Sequence, residues 1–166
     1  MIVYKDYHYL PLTEQDKAFY ISVYQDQKVM SYVMEIPDLK TCERFFAHAV
    51  KQQQQPVPEK LVFTVKKDAD FIGLIGIYWN QQSKDAVEIG TLIKTAFQCK
   101  GYGSDTTLGL ARYALSELNV KQVVLISEVG NQLASGSARK MGFKKSQETE
   151  ENRLGRICNR WVLESF

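Results

Sequence analysis

Between the apolar stretch Glu88–Ile93 and the helical stretch Ser104–Leu118 lies Gln98-Cys99-Lys100-Gly101-Tyr102-Gly103, whose residue types and spacing suit the holding of an anion. A strand that stops at a glycine turn and opens a helix leaves several backbone N–H groups without partners, and the positive end of the helix dipole adds to them. Glycine at 101 and 103 permits positive φ and lets phosphate oxygens approach the backbone, and Lys100 adds a mobile positive charge. Two common phosphate loops do not match. The P-loop needs G-x-x-x-x-G-K-[ST], and the dinucleotide fingerprint needs a third glycine where this chain has Thr106. Any tight strand-to-helix turn also uses glycine, so the surrounding elements must decide.

Those elements follow from pattern. A short strand is expected at Tyr7–Leu12, then a helix capped by Thr13 with Glu14 and Asp16 in its first turn, running to about Tyr24. Pro37-Asp38 opens a second helix near Leu39, whose stripe Phe45, Phe46, Ala49 and Val50 faces a core; Gln52–Gln55 and Pro56 close it in a surface loop. Leu61–Lys66 and Phe71–Trp79 read as an antiparallel hairpin, and Val87–Ile93 as a third strand after a polar turn at Asn80–Lys84. The helix after the glycine loop carries Leu108, Ala111, Leu115 and Leu118 on one face. The continuous apolar run in Val120–Glu128 predicts a strand buried on both faces near the sheet centre. A helix over Leu133–Met141 stops at Gly142, and two strands near Lys145–Glu150 and Ile157–Leu163 flank a turn at Asn152–Gly155. The expected order is β-α-α-β-β-β-α-β-α-β-β, an α/β single domain over residues 1–166 with a mixed, mostly antiparallel sheet flanked by helices.

Composition narrows the function classes. At 166 residues, with 45% hydrophobic and 24% charged residues, the chain is a globular domain long enough to bury a core, not a disordered or fibrous one. A net charge of +2, scattered along the chain, predicts no nucleic-acid stripe. The opening Met1-Ile2-Val3-Tyr4-Lys5-Asp6 meets charge at once, so no signal peptide and no membrane segment is expected, and the cytoplasm is the expected location. Cys42, Cys99 and Cys158 are odd in number and widely spaced and read as reduced thiols. His8 and His48 stand apart from any ligand cluster, so no metal is expected.

Gln98-x-x-Gly101-x-Gly103 resembles the acyl-CoA loop of the Gcn5-related N-acetyltransferase (GNAT) superfamily, and the order of elements is similar to that fold over nearly the whole chain. Within it the chain resembles the RimJ/RimL-type branch, which acetylates ribosomal-protein N-termini and has many small-molecule relatives. Four stretches carry this: Leu10-Pro11-Leu12-Thr13 with Asp16; Asp26-Gln27-Lys28-Val29-Met30; Glu88-Ile89-Gly90; and Asn131 with Gly142-Phe143 eleven residues later. The resemblance implies acetyl-CoA as co-substrate, a strand pair that splays to admit pantetheine, amides of Leu92, Ile93 and Lys94 facing it, pyrophosphate held by Gln98, Cys99, Lys100, Gly101, Tyr102, Gly103 and Ser104, and Asn131 bonded to the pantetheine arm. Asn131 equally suits a helix cap.

Amine attack on a thioester needs a neutral amine, an oxyanion donor and a proton for the leaving thiolate. A strand N–H near Leu92 or Ile93 is the expected oxyanion donor. Glu88 is the candidate base, or an ordinary solvated strand carboxylate. Many superfamily members carry a tyrosine acid where this chain has Ala138, and Ser137 is the candidate substitute, unless its hydroxyl only bonds its own helix. Tyr32, Tyr78 and Trp79 are candidates for an acceptor pocket. The expected acceptor is a peptide or protein N-terminus or an amino-acid-like amine. The alternatives are a polyamine or aminoglycoside-like amine, or a catalytically silent acyl-CoA-binding module, and the chain is expected to be a monomer or homodimer.

Overall fold

Alternation and turn chemistry build an antiparallel run from the first half of the chain. β1 (Ile2–Tyr4) and β2 (Tyr7–Pro11) form a hairpin whose turn holds Lys5 at φ 52°, and β2 pairs with β3 (Lys60–Lys67). β3 pairs with β4 (Asp70–Asn80), and β4 with β5 (Ser83–Ile93). The computed structural model describes residues 1–80 and 83–165, so the turn expected at Asn80–Lys84 lies partly outside the described residues. In the second half β6 (Gln122–Glu128) runs parallel to β5, and β7 (Lys144–Glu151) and β8 (Ile157–Glu164) form a terminal hairpin with β8 against β6. The eight strands lie in the order β1-β2-β3-β4-β5-β6-β8-β7.

Two helical layers cover the sheet. On one face, α1 (Lys17–Tyr24), the single turn α2 (Gln27–Met30) and α3 (Leu39–Gln53) pack over β3 and β4, burying Tyr20, Val23, Met30, Phe46 and Ala49 against Val62 and Leu74. On the other, α4 (Tyr102–Glu117) and α5 (Gln132–Lys140) close a larger core containing Ile75, Ile77, Val87, Ile89, Leu110, Ala111, Ala114, Ala138 and Trp161. Full burial of each large apolar side chain contributes about 1.5–3 kcal/mol, so these two clusters carry most of the fold's driving force.

The structure departs from the sequence reading at four places. β1 and α2 were not expected as elements: β1 has three residues followed at once by charge, and α2 exists because Asp26 caps it by accepting from the N–H groups of Lys28 and Val29. The buried face of α4 is Thr106, Thr107, Gly109, Leu110, Ala111 and Ala114, while Leu108, Leu115 and Leu118 sit at the rim. Small residues win that face because the helix lies close to the N-terminal hairpin; a Cβ on Gly109 would stand 2.4 Å from the Tyr9 hydroxyl and 2.5 Å from the Tyr4 ring. β6 is interior to the sheet as expected, but only Val123, Val124 and Ser127 are fully buried along it, and Leu125 and Ile126 are half-buried. Among the described residues no helix is long and apolar enough to cross a membrane.

Candidate active site

The parallel pairing of β5 with β6 covers only Ala86–Glu88 against Gln122–Val124, after which β5 continues to Ile93 and β6 to Glu128. β5 keeps its register with β4 from Val87 opposite Trp79 to Ile93 opposite Gly73, past an irregularity at Asn80. A V-shaped gap therefore opens in the sheet, and Glu88 stands at its vertex. Strand backbones alternate sides, which decides what faces the gap. Lys94 N–H donates to the Ile72 carbonyl at 2.9 Å, on the β4 side. The Leu92 carbonyl turns the same way, only 2.2 Å from where a Cβ on Gly73 would stand. Ile93 and Thr91, of opposite parity, turn into the gap.

This corrects the expectation for Lys94, whose amide is consumed inside the sheet. Its ammonium is committed elsewhere too, donating to Ser22 Oγ at 3.4 Å and lying 5.5 Å from the Phe19 ring centre. Leu92 packs its side chain against the α1–α3 core and shares the backbone side of Lys94.

Past Ile93 a short 3-10 turn, Thr95–Phe97, leads into the glycine loop. Gln98 Nε2 donates to the Ile93 carbonyl at 2.9 Å, so this side chain latches the loop to the strand end. Cys99 at φ 60° and Gly101 at φ 81° turn the chain through left-handed conformations, and α4 starts at Tyr102. No hydrogen bond among the described residues uses the amides of Cys99, Lys100, Gly101, Tyr102, Gly103 or Ser104. Nothing lies within 4 Å of a Cβ built on Gly101, and Gly103 brings the helix start against Ile93. Six unused amides at the head of a sixteen-residue helix fit a diphosphate.

Beyond β6, Asn131 caps α5, its Oδ1 accepting from Ala134 N–H at 3.1 Å. The cap is thus real, and Nδ2 is the part of the amide left for a ligand. Ser135 Oγ, on the inward face of α5, is buried and has no hydrogen-bond partner. A buried hydroxyl left unpaired costs about 1–3 kcal/mol, so this atom calls for a partner that a bound molecule can supply. Ser137 is half-buried, and Ala138, where a tyrosine acid was looked for, lies in the core.

On the α1–α3 face one rung crosses three strands: Lys60 opposite Tyr78, and Tyr78 opposite Glu88. Directly opposed residues share a face. The Tyr78 ring lies along Gly76 and Gly90, whose Cβ atoms would come within 2.8 and 3.3 Å of it. Glu88 is exposed to solvent, yet desolvation by the groups around it first, then the charge of Glu150, raise its carboxyl pKa, and Arg160 opposes them. Arg160 is itself engaged, 3.7 Å from Glu148 and 3.9 Å from Glu150. Of the aromatic candidates, only Tyr78 stands beside Glu88; Trp79 packs into the opposite core and Tyr32 is exposed. No group of three or more His, Cys, Asp or Glu among the described residues is arranged to hold a metal, and all three cysteines are free.

A family model described as an acetyltransferase (GNAT) domain matches residues 9–144. The chain belongs to that family. It is an acetyl-CoA-dependent N-acetyltransferase built on the GNAT fold. No curated protein matches the sequence. Solved structures share the fold: spermidine N-acetyltransferase from Vibrio cholerae in complex with CoA and spermine has a TM-score of 0.82 at 18% identity, covering 98% of this chain and 97% of that one. RimL, a ribosomal L7/L12 alpha-N-protein acetyltransferase in complex with coenzyme A, gives 0.82 at 13%, covering 98% and 96%. The microcin C7 self-immunity acetyltransferase MccE in complex with acetyl-CoA and AMP gives 0.80 at 14%, covering 97% and 93%.

Several residues of this acetyltransferase escaped the sequence reading. Thr91 belongs with Ile93 on the gap side, which only strand register reveals. Ser135 shows itself only through its buried, unpartnered hydroxyl. Lys60 is far from the glycine loop in sequence, and nothing local connects it with Glu88. Asp26, recognised as part of a family segment, proves to be bound to Thr95 at the entry to the loop.

Proposed function

We propose that the chain moves the acetyl group from acetyl-CoA to a primary amine by direct attack, the amine belonging to a peptide or protein N-terminus or to an amino-acid-like molecule, as the RimJ/RimL-type resemblance suggests. The observation that carries the reading is the gap that opens right after Glu88 and ends at six unused amides. Amides 99–104 hold the pyrophosphate, with Lys100 near it. Gln98 acts through its latch on Ile93 more than by direct contact. Ser135 Oγ and Asn131 Nδ2 supply polar contacts to the pantetheine arm.

Acetyl-CoA brings an activated thioester. The protein contributes orientation and charge. The N–H of Ile93, with that of Thr91 beside it, is the donor for the oxyanion, and losing one such donor costs about 2.7–4 kcal/mol in enzymes. Glu88, directly or through water, takes the proton of the attacking ammonium, and its raised pKa brings it nearer to the amine's own. Ser137 is the candidate donor to the leaving thiolate, which can also depart unprotonated, since a thiol ionises near pH ~8.5. No histidine stands near Cys99 in sequence to activate it, which supports direct transfer over an acyl-cysteine route. Three free thiols, one of them exposed, suit a reducing compartment such as the cytoplasm.

Spermine in the Vibrio cholerae relative raises the polyamine alternative. It finds less support here, because Arg160 already engages Glu148 and Glu150. The test is calorimetric titration with acetyl-CoA, CoA and NADH, followed by thiol release with a panel of amines. Binding of both CoA species but not NADH, with amine-dependent thiol release, is expected. Failure to bind either CoA species would overturn the reading.

A further inference from the structure

Past Glu88 the strand β5 has lost a neighbour. β4 pairs with it as far as Ile93, but β6 no longer does, so within the sheet the edge that carries the N–H groups of Thr91 and Ile93 is held from one side only. What steadies it from above is α4. Ile89, Thr91 and Ile93 share one face of β5, and the two isoleucines pack into the cluster that contains Leu110 and Ala111 of that helix. Apolar contact of that kind is non-directional and fixes no register along the strand. A hydrogen bond does, and Thr91 Oγ1 meets Thr107 Oγ1 at 2.7 Å.

Thr107 departs from the habit of a helical threonine. Its neighbour Thr106 bonds back to the carbonyls of Tyr102 and Gly103, at 2.7 and 3.2 Å, as such hydroxyls commonly do. Thr107, only 6% exposed, reaches across to the strand instead. Two hydroxyls bonded in this way stand about 1 Å closer than two methyl groups, which pack at roughly 3.5–4.0 Å. The bond also joins the strand edge to the helix whose first amides form the cradle. Thr107 lies four residues past Gly103, about 6 Å along the helix axis. At the other end of the edge, Gln98 Nε2 holds the Ile93 carbonyl at 2.9 Å, and a Cβ on Gly103 would stand 3.5 Å from Ile93 Cγ1.

Resting on the oxyanion donor proposed above, we infer that Thr107 is a positioning residue for the transfer: through Thr91 it fixes where the N–H groups of Thr91 and Ile93 stand relative to the cradle. Oxyanion donors act over about 2.7–3.1 Å, and a misplacement of about 1 Å can cost roughly a hundredfold in rate. The diphosphate and the thioester carbonyl of one cofactor molecule are then gripped by a single unit, α4 with the strand edge bonded to it. The Val–Val alternative at these two positions would pack as well and set the edge in another place.

The thioester carbonyl reports this without any acceptor. Acetyl-CoA isotopically labelled at that carbonyl is bound to the full chain, its stretching band is read by isotope-edited infrared difference spectroscopy, and its affinity is measured by calorimetry. A hydrogen bond from the strand edge lowers the band from its position in solution, and that downshift is expected in the wild-type protein. Thr107→Val should lose most of it while the Kd for acetyl-CoA stays within about threefold, and Thr107→Ser, which keeps the hydroxyl, should retain it. Thr107→Val also strands the Thr91 hydroxyl, so the double variant Thr91→Val with Thr107→Val is the second measurement. Replacing both partners by apolar groups of the same shape is nearly neutral for stability, so its melting temperature should return towards wild type with the downshift still lost. A wild-type band unmoved from solution, or a downshift that either valine variant keeps or that Thr107→Ser loses equally, would overturn the inference and leave the transfer reaction standing. Absence of acetyl-CoA binding in the same titrations would remove the reaction and this inference with it.

Discussion

Asp26 accepts the Thr95 hydroxyl at 2.8 Å on both carboxylate oxygens while capping α2 through the N–H groups of Lys28 and Val29. One carboxylate thereby joins the helices over the Glu88 face to the turn that feeds the glycine loop. Asp26→Ala removes a helix cap, which costs about 0.5–2 kcal/mol, and leaves Thr95 without its acceptor. The expected result is a lower melting temperature with KM raised for both acetyl-CoA and the amine. Burial pushes the Asp26 carboxyl up, but the hydrogen bonds outweigh it and hold its pKa below the ordinary value. The stability it contributes is thus fully present above the unfolded-state pKa of ~3.9 and is lost as pH falls through the lower folded value, a loss that Asp26→Ala should not show in acid denaturation.

Glu88 offers a pH test. Its pKa is raised by desolvation and by Glu150, so the acidic limb of kcat/KM, where a base must lose its proton, should lie above that of a free carboxylate. Glu150→Gln removes the like charge and moves the limb to lower pH. Glu88→Gln abolishes the limb and most of the rate. An acidic limb that ignores Glu150 would assign the base elsewhere.

Gly101 sits at φ 81° with open space around its absent Cβ, so alanine there meets strain and no clash. Left-handed backbone costs an L-residue about 1–2 kcal/mol, enough to reshape the loop and raise the Kd for acetyl-CoA roughly tenfold. Cys99→Gly, at φ 60°, works in the opposite sense and should keep or tighten cofactor binding. Isothermal titration of the two variants reads both effects.

Ser135→Ala separates a structural hydroxyl from a ligand-binding one. Removing a buried, unpaired hydroxyl should stabilise the free protein by about 1 kcal/mol in denaturant melts and weaken acetyl-CoA binding by roughly threefold to tenfold. Stability gained with affinity unchanged would take Ser135 out of the cofactor site.

Gly76→Ala places a methyl 2.7 Å from the Tyr78 hydroxyl and 2.8 Å from its ring. The ring must swing off the floor beside Glu88, so acceptor KM should rise while acetyl-CoA affinity holds. Gly90→Ala, at 3.3 Å, should do the same more weakly. Steady-state kinetics with each substrate varied in turn checks both.

These cases show what the sequence made legible. The glycine loop, the central strands and the order of helices were readable because glycine pairs, alternation and capping residues act within a few positions. The side of the strand to which an amide turns was not, since Lys94 and Ile93 differ only by parity against β4. The α4 face was misjudged because leucine weighs more than threonine in a periodicity count, although Thr106 and Thr107 are the buried pair and Thr107 Oγ1 meets Thr91 Oγ1 at 2.7 Å. Lys60 and Glu88 lie on one rung through Tyr78 although 28 residues separate them, which only strand pairing reveals.

An open sheet has two edges, where unpaired strand groups invite foreign strands; this one gains two more inside, along β5 beyond Glu88 and along β6 beyond Val124. A template for mispairing therefore also lies near the middle of the sheet, where a charged rim strand or bulge would block the cofactor. Acetyl-CoA, lying along those strands, would act as the missing neighbour. Cellular cofactor supply would then govern how much of this protein stays dispersed, and amides at the centre of the sheet would exchange with solvent at the rate of a rim whenever supply fails.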